Sequence, residues 1–387
     1  MKNEHPLVWA EIDLNAIAGN VAELRRVTRP EADLLVAVKA NAYGHGMIEV
    51  ARQALDSGAD VLGVARLDEA LQLREAGIDA PLLVFGYSPP ATAGELIRYN
   101  LTQAVYSVET AEALGRQAVK AGGIVRVHLK VDTGMGRLGL LPDARRDPAP
   151  DKGETDAAVR EVERIAGTAG LLLEGIFTHF ASADSADKSY ADRQFDIFLD
   201  FIERLDRVGL QINVRHAANS GAIIDMPRTH LDMVRAGISL YGLYPSREVN
   251  QNTLNLVPAM ALKARVVHVK QVPAGFKISY GMTFETDRPT TIATVPIGYA
   301  DGYSRLLTNR GSMLVRGQRA PIVGRVCMDL TMIDVGHIPG VAPEDEVVIL
   351  GRQGEEMITA DEIASLVNTI NYVVVSSITA RVPRIYV

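Results

Sequence analysis

Lys39 sits where an apolar run, Leu34-Leu35-Val36-Ala37-Val38, meets the stretch Asn41-Ala42-Tyr43-Gly44-His45-Gly46. An ammonium at the end of a buried strand is costly unless it has a partner or a task. One task suited to it is a Schiff base with pyridoxal 5'-phosphate (PLP), because burial lowers the amine pKa and makes the nitrogen nucleophilic. The plainer reading is a lysine that snorkels to solvent. Other polar residues also end apolar runs: Lys130, Asp132 and Arg137; Thr178 and His179; His216 and, just after it, Ser220; and Arg235, followed by Gly237 and Ile238. The hydroxyls of Tyr43 and Ser220 and the backbone N–H groups at Gly237 and Ile238 suit a phosphate. His179 offers a flat ring to stack on or bond near a pyridine, and Arg235 a permanent positive charge. Taken singly, each also fits a structural part: a satisfied histidine, a salt-bridged arginine, an ordinary turn serine.

These residues need a scaffold that brings strand ends together. Short apolar runs at 34–40, 61–65, 81–85, 103–106, 124–131, 172–180, 212–217 and 233–238 alternate with amphipathic helical patterns such as 67–76, 108–121, 156–169 and 189–208. Near-continuous apolar strands separated by helices indicate a parallel sheet covered on its outer face. Eight such units predict an α/β fold, a closed (β/α)8 TIM-like barrel, with an open doubly wound sheet as the alternative. In a barrel, active sites lie at the C-terminal ends of the strands, which is where the polar residues above fall. That joint placement weakens the snorkelling reading of Lys39. A stretch rich in Asp, Pro and Gly at 142–154 reads as a surface insertion.

Beyond about residue 245 the pattern changes to alternating runs at 261–269, 290–295, 312–316, 322–334 and 346–350, separated by Gly and Pro. One helix is signalled there: Thr359 caps it with Glu362 three residues on, ahead of Ile363, Leu366 and Val367. The expected division is therefore a barrel domain at 1–245 and a mostly β C-terminal domain at 246–387.

Composition narrows the function classes. The apolar fraction of 47% suffices for full cores, and the net charge of −7 comes without a long basic block. Nucleic acid and anionic membrane are therefore poor partners. There is no leader-like stretch and no run of about 18 apolar residues, so a cytoplasmic protein is expected. Cys327 is the one cysteine, which excludes an internal disulfide. No metal is expected.

The run Ala37-Val38-Lys39-Ala40-Asn41-Ala42-Tyr43-Gly44-His45-Gly46 resembles the PLP-attachment signature of the bacterial alanine racemases. The likeness continues in order along the chain, at His128-Leu129-Lys130-Val131-Asp132-Thr133-Gly134-Met135-Gly136-Arg137-Leu138-Gly139, Thr178-His179-Phe180, Ala218-Asn219-Ser220 and Val234-Arg235-Ala236-Gly237-Ile238. It extends to Ser279-Tyr280-Gly281, Gly298-Tyr299-Ala300-Asp301-Gly302, Cys327-Met328-Asp329 and Arg381-Val382-Pro383-Arg384. The resemblance implies a PLP-binding barrel followed by a β domain, in a head-to-tail homodimer with shared active sites. It implies two bases, Lys39 on one face of the substrate and Tyr280 of the other subunit on the opposite face. A tyrosine acts as a base near neutrality only beside positive charge, and the family links it to the residues matching His179 and Arg235. Arg235 is implied to face the pyridine nitrogen and leave it unprotonated. Tyr43, Ser220, Gly237, Ile238 and Tyr372 match the phosphate grip, and Arg137 and Met328 match positions that hold the substrate carboxylate. Lys130 matches a lysine that is often carbamylated; an ion pair with a nearby carboxylate is its plainer reading. Two departures stand out: Val373 and Ser376 replace the glutamate and cysteine usual after the tyrosine matching Tyr372.

The implied activity is interconversion of L- and D-alanine, supplying D-alanine for peptidoglycan. Three rivals share the fold or the cofactor. A broad-specificity amino acid racemase is the nearest. A basic amino acid decarboxylase would place a carboxylate, not Arg235, opposite the pyridine nitrogen. A non-catalytic PLP-binding protein would lack the C-terminal domain that carries Tyr280.

Overall fold

A computed structural model describes residues 6–142 and 157–387. From residue 143, the expected surface insertion lies outside the described residues. Strand β1 (Val8–Ile12) opens the chain. The next eight are β2 (Asp33–Ala37), β3 (Val61–Val64), β4 (Leu82–Val84), β5 (Thr102–Val105), β6 (Val125–Lys130), β7 (Leu171–Phe177), β8 (Val214–His216) and β9 (Met233–Ala236). They form one sheet in the order β8-β7-β6-β5-β4-β3-β2-β9, with every pair parallel. The remaining gap, between β8 and β9, is spanned by backbone bonds from Asp232 N to Arg215 O (3.1 Å) and from Arg235 N to Ala218 O (3.0 Å). The eight expected strands are all present, and the barrel is the architecture they build.

The residues explain the elements. Leu34, Leu35, Val36 and Ala37 are all buried, because one face of the strand fills the barrel and the other meets the helices. Leu35, Leu83 and Met233 form one cluster, with Val61, Phe85 and Val214 packed against it. The helix Ser189–Arg207 buries Phe195, Phe198, Phe201, Ile202 and Leu205, a stripe at helical spacing. Ser107 caps the helix Val108–Lys120 by accepting from Thr110 N at 3.2 Å.

Compact units divide the chain as Ala16–Ala42 with Met47–Val257, and Met1–Asn15 with Tyr43–Gly46 and Pro258–Val387. The second unit contains β1 and strands β10 (Met260–Arg265), β11 (His268–Val272), β12 (Lys277–Ile278), β13 (Phe284–Glu285), β14 (Thr290–Val295), β15 (Ser312–Val315), β16 (Gln318–Pro321), β17 (Thr331–Asp334), β18 (Glu346–Gln353), β19 (Glu356–Ile358) and β20 (Arg384–Tyr386). Its main sheet runs β16-β15-β18-β10-β1-β20, and β11-β14-β17 form a second. The apolar run at 261–269 is thus two strands in different sheets, and 322–334 supplies a strand only at its end. Thr359 caps the helix Ala360–Leu366 as expected, accepting from Glu362 N at 3.0 Å. The tight Tyr43–Gly46 stretch belongs here because a Cβ on Gly44 would lie 2.3 Å from Val375 O, and Arg384 Nε donates to Gly44 O at 2.8 Å.

Candidate active site

The barrel places its polar side chains where the strands end. Lys39 lies two residues beyond β2, Lys130 closes β6, Thr178 and His179 follow β7, His216 closes β8, and Arg235 lies in β9. Phe177 stacks on His216 with centroids 4.7 Å apart, and both Lys130 Nζ and the Arg235 guanidinium lie 5.5 Å from its ring centre. The mouth is therefore a cationic cluster around one aromatic ring.

Arg235 is buried and held by four acceptors. Nη2 donates to Thr178 O (2.7 Å) and Ala217 O (3.0 Å). Nη1 lies 3.0 Å from His216 Nδ1, and Nη2 lies 3.2 Å from His179 Nδ1. A guanidinium only donates, so His216 Nδ1, facing Nη1, must be bare and that ring carries its proton on Nε2; the two Nη2 hydrogens go first to the two carbonyls, with His179 Nδ1 as a longer third contact. Burial, followed by the charge of Arg235, holds both histidines well below the usual imidazole range. Burial and the neighbouring Arg137 lower Arg235 itself to about 9, so it stays charged at neutral pH.

Lys39 has its amine pKa pushed down, first by desolvation and then by Arg137, with Arg235 adding to the effect and Glu69 opposing it. Lys130 is lowered to about 8 by burial, then by Arg137 and Arg235. Arg137 is itself exposed, and its charge reaches Lys39, Lys130, His179 and Arg235 alike. The backbone that carries Lys39 is unusual. Ala40, Asn41, Ala42 and Tyr43 follow one another at φ of 53°, 53°, 53° and 50°, one turn of left-handed helix. Such a conformation costs roughly 1–2 kcal/mol per non-glycine residue and needs outside support. Glu69 supplies some: one carboxylate oxygen accepts from Ala40 N at 2.6 Å and the other from Ala65 N (2.8 Å) and Arg66 N (3.1 Å). Ala42 N donates to Val38 O at 2.8 Å, and Met47 N donates to the Asn41 side chain at 2.9 Å.

Ser220, Gly237 and Ile238 meet as an anion cradle. Ser220 Oγ accepts from Gly237 N at 2.9 Å, which leaves its proton free to point elsewhere. Ile238 opens the short helix Ile238–Tyr241, so its N–H has no acceptor within that turn. Among the described residues, the Ser239 hydroxyl is fully buried with no hydrogen-bond partner. The Ser239 hydroxyl has no exposed surface, so the fit rests on Ser220, whose hydroxyl proton is free to turn to an acceptor, and on the Ile238 N–H; both are donors of the kind that suit the phosphate of PLP.

Four expected site residues lie in the other unit. Tyr43 packs against Tyr372 with ring centroids 6.1 Å apart. Tyr280 is 73% exposed, and Met328 is 52% exposed. Tyr280 stands on a strained turn, with Ser279 at φ 63°, Gly281 at 70° and Met282 at 50°. Ser279 Oγ ties that turn to the next loop by donating to Arg325 O at 2.7 Å. Met282 and Leu330 are also exposed, so these loops carry an apolar surface.

Sequence reasoning assigned no part to Glu69, Ser239 or His128, and it placed His216 at a strand end without one. His128 Nδ1 lies 3.0 Å from His216 Nε2. The signal for His128 was its spacing: two residues before Lys130 on β6, it shares that residue's face.

Residues 12–245 match the family model "Alanine racemase, N-terminal domain", and 259–386 match "Alanine racemase, C-terminal domain". The chain is 57% identical over 378 residues to the alanine racemase of Desulfosudis oleivorans, covering 98% of this chain and 96% of that one. The structure of alanine racemase from Clostridium difficile superposes with a TM-score of 0.91 at 39% identity, covering 99% of this chain and 96% of that one. A histidine racemase from Leuconostoc mesenteroides has a TM-score of 0.88 at 30% identity, covering 99% of each chain. The family is PLP-dependent. The barrel, the β-rich second unit and both domain matches agree: this chain belongs to the alanine racemase family.

Proposed function

We propose that this chain interconverts L- and D-alanine, using PLP held at the mouth of its barrel. The observation that carries the reading is Arg235, a buried permanent cation anchored by four acceptors beside the lowered amine of Lys39. When bound, the cofactor supplies an electron sink that acidifies the substrate Cα–H. Arg235 would take the place facing the ring nitrogen, where a guanidinium that only donates would leave that nitrogen unprotonated and so moderate the sink. Ser220 and the Gly237–Ile238 turn would hold the cofactor's phosphate; Tyr43 and Tyr372 are assigned to the same part by their resemblance to the family's positions.

Lys39 removes or returns the Cα proton on one face, and burial and Arg137, by lowering its pKa, favour the neutral amine that this needs. Inversion needs a second group on the opposite face. We assign that part to Tyr280 of a second copy of this chain; its exposure and strained turn support the assignment. His179, beside Arg235, would offer a ring N–H suited to a phenolate oxygen. Arg137 and Met328 hold the substrate carboxylate. Lys130, lowered to about 8, retains some free amine near neutrality, the form that adds CO2. Its carbamate would be an anion among Arg137 and Arg235 and would orient Arg137.

The working unit is a homodimer with shared sites, and the exposed Tyr280, Met282, Met328 and Leu330 support it. No described helix is long and apolar enough to cross a membrane. We place the enzyme in the cytoplasm, supplying D-alanine for peptidoglycan. The test is incubation of the purified chain with PLP and L-alanine, L-serine, L-lysine or L-histidine in D2O, followed by chiral chromatography and mass measurement. Rapid inversion of alanine with weak turnover of the others is expected. Comparable inversion of the larger amino acids would replace this reading with a broad-specificity racemase.

A further inference from the structure

His128 takes no part in the reading above, yet the barrel is shaped around it. The β6–β7 register shifts between Val127 and His128. Opposite it stands Gly175, where a Cβ would lie 2.6 Å from the imidazole ring atoms of His128. A register irregularity re-aims a side chain, and a missing Cβ makes room for a ring. Both are spent on a buried histidine whose ring makes one hydrogen bond, to His216 Nε2 at 3.0 Å.

Proton counting gives that bond a direction. Arg235 forces His216 Nδ1 to be an acceptor, so the proton of a neutral His216 sits on Nε2. That proton can go only to His128 Nδ1, which must therefore be bare. Burial and Arg235 keep His128 neutral, lowered to about 4. Without an acceptor at residue 128, His216 would hold a buried N–H with no partner. The opposite tautomer would turn an N–H against the N–H of Arg235. Either outcome disturbs the guanidinium that also anchors His179.

We propose that His128 is a positioning residue that fixes the tautomer of His216 and thereby the orientation of Arg235 and His179. The kinetic consequence rests on the racemase reading; the hydrogen-bond wiring does not. The test uses the full chain labelled with 15N-histidine, with and without PLP, and nitrogen NMR to distinguish bare from protonated ring nitrogens. His216 and His128 should each show a bare Nδ1 and a protonated Nε2. A protonated Nδ1 on His216 in the wild-type chain overturns the proposal, whether or not the chain racemises alanine.

Two variants extend the test. His128→Asn keeps an acceptor near the Nδ1 position, and His128→Leu removes it. His128→Leu should change the His216 signals, lower kcat about tenfold or more with less effect on KM, and move the pH profile. His128→Asn should restore most of each. Equal losses in the two variants, or an unchanged His216 tautomer in His128→Leu, would defeat the idea. Should His128→Leu fail to fold, the wild-type tautomers and the His128→Asn profile still decide it.

Discussion

Replacing Ala40 by glycine should stabilise the chain and slow it. Ala40 is the first residue of the left-handed turn, at φ 53° and ψ 49°, and its side chain is exposed. Relief of the left-handed penalty is worth roughly 1–2 kcal/mol. Glycine gives back about 0.5–1 kcal/mol through its greater freedom in the unfolded chain. The Ala40 N–H bond to Glu69 survives the change, and no buried area is lost. The expected net gain is about 0.5–1 kcal/mol from the middle of those ranges, or roughly 1 °C in Tm for 387 residues. Racemisation should fall, because the turn that aims Lys39 becomes easier to deform. Urea unfolding of the apoprotein, followed by circular dichroism, reads the first effect as a midpoint rise at unchanged slope. Initial rates of the PLP-loaded protein read the second. Asn41→Gly is the contrast: asparagine tolerates the left-handed region, and its side chain caps Met47 N at 2.9 Å, so this change should destabilise. A lower midpoint for Ala40→Gly would refute the claim that the turn stores strain.

Lys130 makes a pH-dependent contribution. Its folded pKa, about 8, lies below the ordinary lysine value of 10.5, so the unfolded chain binds more protons between those limits. Stability should therefore rise with pH across that window in CO2-free buffer. The wild-type gain over Lys130→Met should approach roughly 3 kcal/mol by its upper end, and a flat difference would contradict the depressed amine. With 13C-bicarbonate the wild-type chain should show a carbamate resonance that Lys130→Met lacks. For Tyr280→Phe, racemisation should drop in both directions, while solvent-deuterium exchange at Cα slows far more for one enantiomer than for the other. Small and equal effects on both would remove Tyr280 as a base.

Much of the barrel was legible because its strands are buried on both faces and its helices on one. Those periodicities are local, so 34–40 and its seven counterparts announce themselves in the chain. Strand ends then located Lys39, Lys130, His179, Ser220 and Arg235, since a barrel collects them at one mouth. Less local features could not be read this way. Strand β1 pairs with β10 and β20 from the far end of the chain, a match that no run near residue 8 encodes. The left-handed turn after Lys39 is carried by Ala40 and Ala42, residue types that give no sign of positive φ. Glu69 looks like an ordinary first-turn carboxylate until the fold brings Ala40 N to it. The amino-acid sequence by itself determined which residue types stand at the strand ends, and hence the chemistry available. Tertiary structure alone decided their protonation and aim: the tautomer of His216 follows from Arg235, which reaches it and His179 only once β7, β8 and β9 lie side by side.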